Sequence, residues 1–370
     1  MIDSKEKEKE EVLKVAIVGM GIGRPNGMAL DSNPRGRVVA LCDLYQERME
    51  DFAAELEGEV KFYTDYKEMC ADPEIDAVFV GTPNQEHAPV ALKAVESGKH
   101  VLVTKPLADS VESAEKLVEE AEKSGVVNMM SLSTRFSPKC QYLKEMAEEG
   151  EFGELYYARA RSVRRSGIPD WNLGFLQRGG GALRDMGVHA LDGAWSILGR
   201  PEPLSALASS GAKFGPRGRG YFSAQGKDYE KRTAEKGRTF HPREEKLYKH
   251  FQADDYTGGF IRFENGIGMQ VESFWASHQP EEFQIELFGT EAGARLDPLE
   301  IYRTHRNAPQ DLEVNLPEGP SAWEEIADRF IRCVLDGEEN EAPLRQGLGV
   351  QKMLEALLES GQRGEEVEVA

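Results

Sequence analysis

The sequence predicts an α/β protein in which a doubly wound parallel sheet is followed by an α+β domain with a mostly antiparallel sheet. Two patterns of apolar residues support this prediction. Up to about residue 134, short apolar runs alternate with helix-compatible segments, as expected for parallel strands covered on both faces. Beyond that point, runs with a period of two residues indicate antiparallel strands. We therefore predict two domains, at 1–134 and 135–370.

A glycine-rich turn follows the first predicted strand. An apolar run at 15–18 leads directly into three glycines, and a helix-compatible segment comes next. Such glycines let the backbone approach a pyrophosphate, and the helix N-terminus offers free N–H groups. Arg24 stands where a third glycine is expected, and a turn without ligand is the alternative. The predicted cofactor-binding residues of this turn are Gly19, Gly21, Ile22 and Gly23.

Asp43 ends the second apolar run, at 38–41, and indicates which dinucleotide binds. A carboxylate at this point can accept hydrogen bonds from the ribose hydroxyls. It would also repel a 2′-phosphate, so NAD is favoured over NADP. Positive charge on Arg24 or Arg48 would weaken that preference.

The first domain continues with alternating elements. Glycines close two of its helices, as expected at helix C-termini. The predicted helices are 45–56, 65–71, 88–97 and 110–124, and the predicted strands are 60–63, 77–81, 100–104 and 126–131.

The second domain mixes helices with period-two runs. A strand is predicted at 154–163, and three glycines at 179–181 open a helix that reaches Leu198. The remaining predicted strands are 258–263, 267–273, 283–289 and 293–296, and the remaining helices are 139–148, 322–335 and 346–360.

Composition excludes several classes of protein. The net charge of −20 argues against a nucleic-acid partner, which requires a basic surface. No run approaches the roughly 20 apolar residues of a membrane span. The charged N-terminus lacks the apolar core of a signal peptide, so we expect a cytoplasmic protein. Four scattered cysteines fit a reducing compartment and lack metal-ligand spacing, so no metal is predicted.

Polar residues follow several strands of the first domain, where ligands bind to open α/β sheets. Lys105 leaves a buried strand, and Pro106 fixes the chain direction after it. Desolvation destabilises the charged form of an ammonium group, which suits a residue that exchanges protons. Helix capping is the alternative role for such polar residues. The other candidates at strand ends are Thr82, Pro83, Asn84, His87 and Arg135.

The segment GGGALRDMGVHALD, at 179–192, contains a second candidate group. Asp185 and His189 are four residues apart and therefore share one face of a helix. A carboxylate beside an imidazole can orient a general base. A helix salt bridge is the alternative.

Residues 213–253 fit neither pattern. They include 11 Lys or Arg against 5 Asp or Glu, so the segment is basic within an acidic chain. We interpret it either as a surface insertion or as an arm or lid that packs on a neighbouring subunit or over the substrate.

Taken together, these motifs resemble the Gfo/Idh/MocA family of NAD(P)-dependent oxidoreductases. The resemblance covers nearly the whole chain, and the last motif is the most specific because it lies outside the nucleotide-binding fold. The motifs are GMGIG at 19–23, GTPNQEH at 81–87, TKP at 104–106, STRFSP at 133–138 and GGGALRDMGVH at 179–189.

The resemblance implies a Rossmann domain at 1–134 and a substrate-binding and oligomerisation domain at 135–370. Lys105, Asp185 and His189 match the catalytic residues of the family. Thr82, Pro83, Asn84 and His87 match its cofactor-side loop, which Lys105 joins. Arg135 and Trp171, with Asp185 and His189, are the implied substrate-binding residues. Thr104 departs from the family, which usually has glutamate there.

The function implied is hydride transfer between nicotinamide and a carbinol carbon of a sugar, sugar derivative or cyclitol. One alternative is a glycoside hydrolase or lyase that keeps NAD and oxidises the sugar transiently. Another is a sensor that binds NAD without catalysis. The family also implies a homo-oligomer, a dimer or tetramer.

Overall fold

The computed structural model describes residues 11–169, 173–177, 179–217 and 251–370. The chain divides into two compact units. The first consists of the chain up to Ser131 together with Pro320–Gly347, and the second of Leu132–Gly319 with Leu348–Ala370. This division differs from the predicted one, because residues 320–347 join the first unit.

The first unit contains a six-stranded sheet in which every neighbouring pair is parallel. Its strand order is β3-β2-β1-β4-β5-β6, so the direction of winding reverses between β1 and β4. The predicted doubly wound sheet is therefore confirmed, and ligands are expected at the carboxyl ends of the strands around this reversal. The strands are β1 (Leu13–Val18), β2 (Gly36–Cys42), β3 (Lys61–Tyr63), β4 (Ala77–Val80), β5 (His100–Thr104) and β6 (Asn128–Ser131).

Helices connect these strands, and local signals define their ends. In α5, the Ser110 hydroxyl accepts the Ser113 N–H, and Gly125 ends the helix with a φ of 71°. The helices of this unit are α1 (Gly23–Ser32), α2 (Gln46–Ala53), α3 (Tyr66–Cys70), α4 (Asn84–Glu96), α5 (Val111–Ser124) and α9 (Ala322–Leu335).

Specific contacts explain why residues 320–347 belong to the first unit. Arg35 forms a bidentate ion pair with Asp336, at 2.7 and 2.8 Å. The Met130 N–H donates to the Ala342 carbonyl oxygen at 2.8 Å. Ile331 of α9 is buried. Sequence patterns do not indicate that residues 320–347 pack on the first unit, because each of these contacts joins residues far apart in the chain.

The second unit contains a nine-stranded sheet of order β14-β13-β12-β11-β7-β10-β9-β8-β15. The pair β7 and β10 is parallel, and the other pairs are antiparallel, which confirms the mostly antiparallel prediction. The strands are β7 (Leu155–Val163), β8 (Pro203–Gly211), β9 (Tyr256–Phe263), β10 (Gly268–Phe274), β11 (Glu282–Gly289), β12 (Ala292–Arg295), β13 (Glu300–His305), β14 (Ala308–Glu313) and β15 (Val367–Glu368).

The two faces of this sheet differ. On β7, Ala158 and Ala160 are buried, whereas Tyr157 and Arg161 of the opposite face are half-buried. Helix α8 packs on the buried face, since a Cβ on Gly193 would lie 2.8 Å from the Ile285 side chain. The helices of the chain after β6, apart from α9, are α6 (Pro138–Glu148), α7 (Leu173–Leu176), α8 (Val188–Ile197) and α10 (Leu344–Arg363).

The division between the units falls within α10, after Gly347. Among the described residues, the helices are all too short or too polar to cross a lipid bilayer.

Candidate active site

The glycine turn after β1 has the geometry of a dinucleotide site. Gly19 adopts a φ of 85°, and a Cβ there would lie 2.5 Å from the Gly81 carbonyl oxygen. A Cβ on Gly21 would meet no atom within 4 Å, so this side of the turn is open. A Cβ on Gly23 would lie 2.8 Å from the Ile17 side chain. The glycines therefore serve the tight turn, an open backbone surface and helix–strand packing, as NAD binding requires.

The absence of glycine at position 24 does not disturb this turn. Gly27 supplies the close packing instead, since a Cβ there would lie 2.8 Å from the Phe52 ring. The Arg24 side chain turns outward, and its Nε donates to Glu55 Oε2 at 2.9 Å. The helix begins at Gly23, and Ile22, just before it, is 39% exposed.

Asp43 lies directly after β2 and supports the glycine turn. Its Oδ2 accepts the Met20 N–H at 2.9 Å, and its Oδ1 accepts the Tyr45 N–H at 3.1 Å. Arg48 Nη1 is 3.8 Å from Oδ1. The carboxylate is thus fixed at the carboxyl end of the strand beside β1, where an acidic residue selects NAD.

The loop after β4 carries the predicted residues Thr82, Pro83 and Asn84. Asn84 is the first residue of α4, and Pro83 is exposed at its N-terminus. The Thr82 hydroxyl oxygen is buried and has no hydrogen-bond partner among the described residues. A buried polar atom without a partner is uncommon, and a bound ligand would satisfy it. This loop therefore fits a cofactor.

His87, predicted as a cofactor-side residue, has a buried side chain. Its Nδ1 is 2.5 Å from the Pro106 carbonyl oxygen, and its Nε2 is 2.7 Å from the Thr82 carbonyl oxygen. Burial lowers the pKa of this imidazole. His87 thus connects the chain after β4 to the chain after β5, and both of its ring nitrogens face protein carbonyls.

Lys105 follows β5 and is half-buried, next to the proline that His87 contacts. Thr104, the residue that replaces the family's glutamate, ends β5 and is buried. The first unit therefore places Lys105 at the same sheet edge as the glycine turn and Thr82, as the sequence predicts.

In the second unit, Asp185 lies on a single π-helical turn at Leu183–Gly187, which continues directly into α8. The sequence predicts an uninterrupted α-helix here. Single π turns within helices occur frequently at functional sites. Gly181 precedes the turn with a φ of 110°, and a Cβ there would overlap Asp254 Oδ1. His189 lies in the first turn of α8 and is half-buried.

Two residues that the sequence did not indicate hold this turn. The carbonyl oxygen of Asp254 accepts the Ala182 N–H at 2.9 Å, and its Oδ2 accepts the Leu183 N–H at 3.0 Å. Burial raises the pKa of Asp254 to about 6. Trp275 Nε1 donates to Asp185 Oδ2 at 3.0 Å. Two consecutive acidic residues, Asp254 and Asp255, stand just before β9, and this pair could have drawn attention to Asp254. No feature of the sequence indicates a role for Trp275.

The neighbouring acid, Asp255, binds the beginning of the predicted basic insertion. Its side chain is fully buried and accepts backbone N–H groups from Lys213, Phe214 and Gly215, the last two at 2.6 and 2.7 Å. Residues 218–250 lie outside the described residues. The predicted insertion at 213–253 is therefore described only at its two ends.

Arg135, which the family resemblance implies as a substrate contact, has a buried side chain. It is 3% exposed, and its Nε donates to Asp192 Oδ2 at 2.9 Å. Asp192 is itself fully buried on α8, so the pair joins the segment before α6 to that helix. Such pairing indicates a structural role. Trp171, the other predicted substrate residue, lies outside the described residues.

The fold and the open glycine turn define a dinucleotide-binding protein, and comparison with known proteins gives the family. Residues 13–132 match the family model described as "Oxidoreductase family, NAD-binding Rossmann fold". Residues 140–295 match the GFO/IDH/MocA C-terminal domain. The chain belongs to the GFO/IDH/MocA family, and its cofactor is NAD.

Individual relatives match along the whole chain. It is similar to D-glucoside 3-dehydrogenase of Escherichia coli K12, with 29% identity over 365 residues, 96% of this chain and 97% of the relative. The structure of GenD2 from gentamicin A biosynthesis in complex with NAD is 25% identical, with a TM-score of 0.74 over 100% of this chain and 99% of that one. Levoglucosan dehydrogenase with NADH shares the fold, at 21% identity and a TM-score of 0.81 over 97% and 100% of the two chains.

Proposed function

We propose that the protein transfers a hydride between a carbinol carbon of a sugar, sugar derivative or cyclitol and NAD. The observation that carries this proposal is the π-helical turn that presents Asp185 just before His189. This turn is held by the buried Asp254 and by Trp275. An acid fixed in this way, with an imidazole four residues further along the helix, suits proton transfer from a hydroxyl group, the step that must accompany hydride removal.

The chain's own residues would move the proton and stabilise charge. When bound, NAD supplies the carbon that accepts the hydride. His189 takes the proton of the substrate hydroxyl as general base. Lys105 donates a hydrogen bond to the same oxygen and stabilises its developing negative charge, and these two roles are exchangeable. Asp185 orients His189 or binds a neighbouring hydroxyl.

The fit of NAD rests on the first unit. The residues that would hold it are the open backbone at Gly21, the N-terminus of α1, the fixed carboxylate of Asp43 and the buried hydroxyl of Thr82. Ile22 and Pro83 offer exposed apolar surface next to these groups.

Among substrates, we favour a secondary hydroxyl of a sugar ring. The relative from Escherichia coli, which this chain matches over nearly its full length, is named as a D-glucoside 3-dehydrogenase. At 29% identity this name supports a substrate class rather than one sugar.

We also propose a homo-oligomer that uses the half-exposed face of the nine-stranded sheet. The ring centroid of Tyr157 is 6.0 Å from that of Phe260 and 5.4 Å from that of Phe288. All three side chains are half-buried. Beside them, Arg161 Nε donates to Glu272 Oε2 at 2.6 Å. An aromatic cluster beside paired charges is a suitable surface for a second copy.

The absorbance of reduced nicotinamide tests the proposal. The purified protein is mixed with NAD or NADP and with free sugars, sugar acids, inositols and glycosides. We expect sustained reduction of NAD by one substrate class and slower reduction of NADP. Release of an aglycone without net reduction would favour the redox-cycling hydrolase or lyase. NAD binding without either reaction would favour the sensor.

A further inference from the structure

Trp275 is a fully buried indole in the second unit whose one polar atom contacts a candidate catalytic group. Its backbone N–H donates to the Asp255 carbonyl oxygen at 2.9 Å, directly after β10. Its ring packs edge-to-face on Phe175, with the centroids 6.5 Å apart. The indole is therefore fixed by both its backbone and its ring, and it cannot turn without disturbing the surrounding apolar residues.

The indole N–H only donates, and here it donates to Asp185 Oδ2 at 3.0 Å. The terminal torsion of an aspartate side chain is broad, so position on a helix alone does not fix where the carboxylate oxygens point. A rigid donor on a neighbouring strand end removes that freedom. Partners of this kind commonly set the geometry of catalytic groups that they do not replace.

We propose that Trp275 is a positioning residue, whose indole N–H holds the Asp185 carboxylate in the single orientation that the reaction uses. The inference rests on the proposed function, because it assigns Asp185 to the reacting site. Trp275 itself transfers no proton and acts only through Asp185.

The chain offers a matched control in the same unit. Trp195 of α8 is 6% exposed, and its Nε1 donates to the Pro201 carbonyl oxygen at 2.9 Å. W275F and W195F each remove one buried indole N–H and keep an aromatic ring. Both variants lose a tryptophan, but the lost hydrogen bond goes to Asp185 in W275F and to a backbone carbonyl in W195F. A difference in activity between them therefore reflects the loss of the bond to Asp185.

The first measurement needs no substrate. Full-length protein labelled with ¹⁵N-tryptophan gives indole N–H signals from its four tryptophans, and W275F identifies the one from Trp275. A hydrogen bond to a carboxylate moves this proton downfield. We expect D185N to move the Trp275 signal upfield and to leave the Trp195 signal in place. An unchanged Trp275 signal in D185N would overturn the proposal. If W275F fails to fold, W171F, W195F and W323F identify the Trp275 signal by elimination, and the test stands.

The second measurement uses a substrate found in the nicotinamide assay. We expect W275F to lower kcat by about 10- to 100-fold, the size associated with a hydrogen bond to a charged group, with little change in KM. W195F should retain the kcat of the unaltered protein. Equal kcat in the two variants, with both folded, would overturn the positioning role. If no substrate is turned over, the proposed function fails, and the indole signal alone then decides whether Trp275 holds Asp185.

Discussion

Asp254 is a buried carboxyl group whose ionisation is opposed by the apolar residues around it. Burial raises its pKa from 3.8 to about 6, although the Leu183 N–H and the Thr257 hydroxyl both donate to it. Between these two pH values the folded chain keeps a proton on Asp254 that the unfolded chain releases. Its contribution to stability is therefore fully present below about pH 4 and is lost as the pH rises to about 6.

We expect this loss to amount to about 3 kcal/mol, since two pKa units separate the folded and unfolded states. D254N keeps the shape of the side chain and cannot titrate. The free energy of unfolding, measured by urea titration from pH 4 to pH 7, should fall for the unaltered protein relative to D254N. A constant difference between the two proteins over this range would contradict the assignment.

Lys105 and His189 carry the second prediction at the level of single residues. K105A and H189A should each lower kcat by about 10²- to 10⁴-fold, because each removes a group that transfers a proton or stabilises charge. NAD affinity, measured by calorimetry, should remain largely unchanged in both variants. Full turnover in either variant would contradict its catalytic role.

Sequence patterns located these residues better than they described their surroundings. Lys105 is at the predicted strand end, because a strand end can be inferred from the apolar run before it. Arg135 and His87 also follow strands, yet both are buried against partners further along the chain, Asp192 and the Pro106 carbonyl oxygen. The partner of Arg135 is Asp192, 57 residues away. Contacts at such separations leave no periodic signal in the sequence. The sequence therefore does not show whether a polar residue at a strand end is exposed to a ligand or buried against another part of the chain.

At the level of elements, the entry to the π-helical turn uses a glycine at which any side chain is opposed both by the backbone conformation and by a neighbouring carboxylate. Gly181 has a positive φ, and Asp254 occupies the space where its Cβ would stand. Gly179 also has a positive φ, of 92°, but its Cβ would meet no atom within 4 Å. The two glycines thus separate the effect of backbone conformation from the effect of a steric clash.

We expect G179A to destabilise the protein by about 1 kcal/mol, the cost of a left-handed alanine. G181A should cost at least about 2 kcal/mol more, because Asp254 must also move. Thermal unfolding of the two variants measures the difference. Equal transition temperatures would show that Asp254 does not pack against this turn as described.

Several strands with a buried face agree with the predicted ones, whereas the exposed hairpin at the edge of the second sheet has no counterpart among the predicted strands. Much of strands β9 to β11 alternates between fully buried and less buried residues, so a period of two residues is visible in the sequence. The hairpin of β13 and β14 is mostly exposed, and its turn uses Arg306 and Asn307 with positive φ. No apolar alternation marks such a hairpin. The π turn was also missed, since its apolar residues fit a continuous α-helix equally well.

For the whole molecule, the important feature is that residues 320–347 pack in the first unit although they follow most of the second unit in the chain. Ile331 of α9 is 1% exposed, and Ile285 of β11 in the second unit is fully buried. Truncation of either side chain to alanine should cost about 2–5 kcal/mol. Because the two residues belong to different units, the variants should weaken different parts of the chain.

Hydrogen–deuterium exchange with peptide resolution measures where stability is lost. I331A should accelerate exchange within residues 13–131, and I285A within residues 155–295. Bound NAD should slow the exchange that I331A accelerates, because ligand binding stabilises the unit that contains its site. Faster exchange in 155–295 from I331A would contradict the assignment of α9 to the first unit.

The return of α9 also sets the order in which the protein can be completed on the ribosome. The six strands of the first sheet have all been made when Ser131 is added, but α9 and the chain to Gly347 have not. At ordinary rates of translation, the missing part follows roughly 10 to 40 seconds later. During that interval, the apolar side chains that α9 later covers lack their partner. The nucleotide-binding unit begins first but stays incomplete until Gly347 is added, near the end of synthesis, so nascent chains that terminate before Gly347 lack part of it.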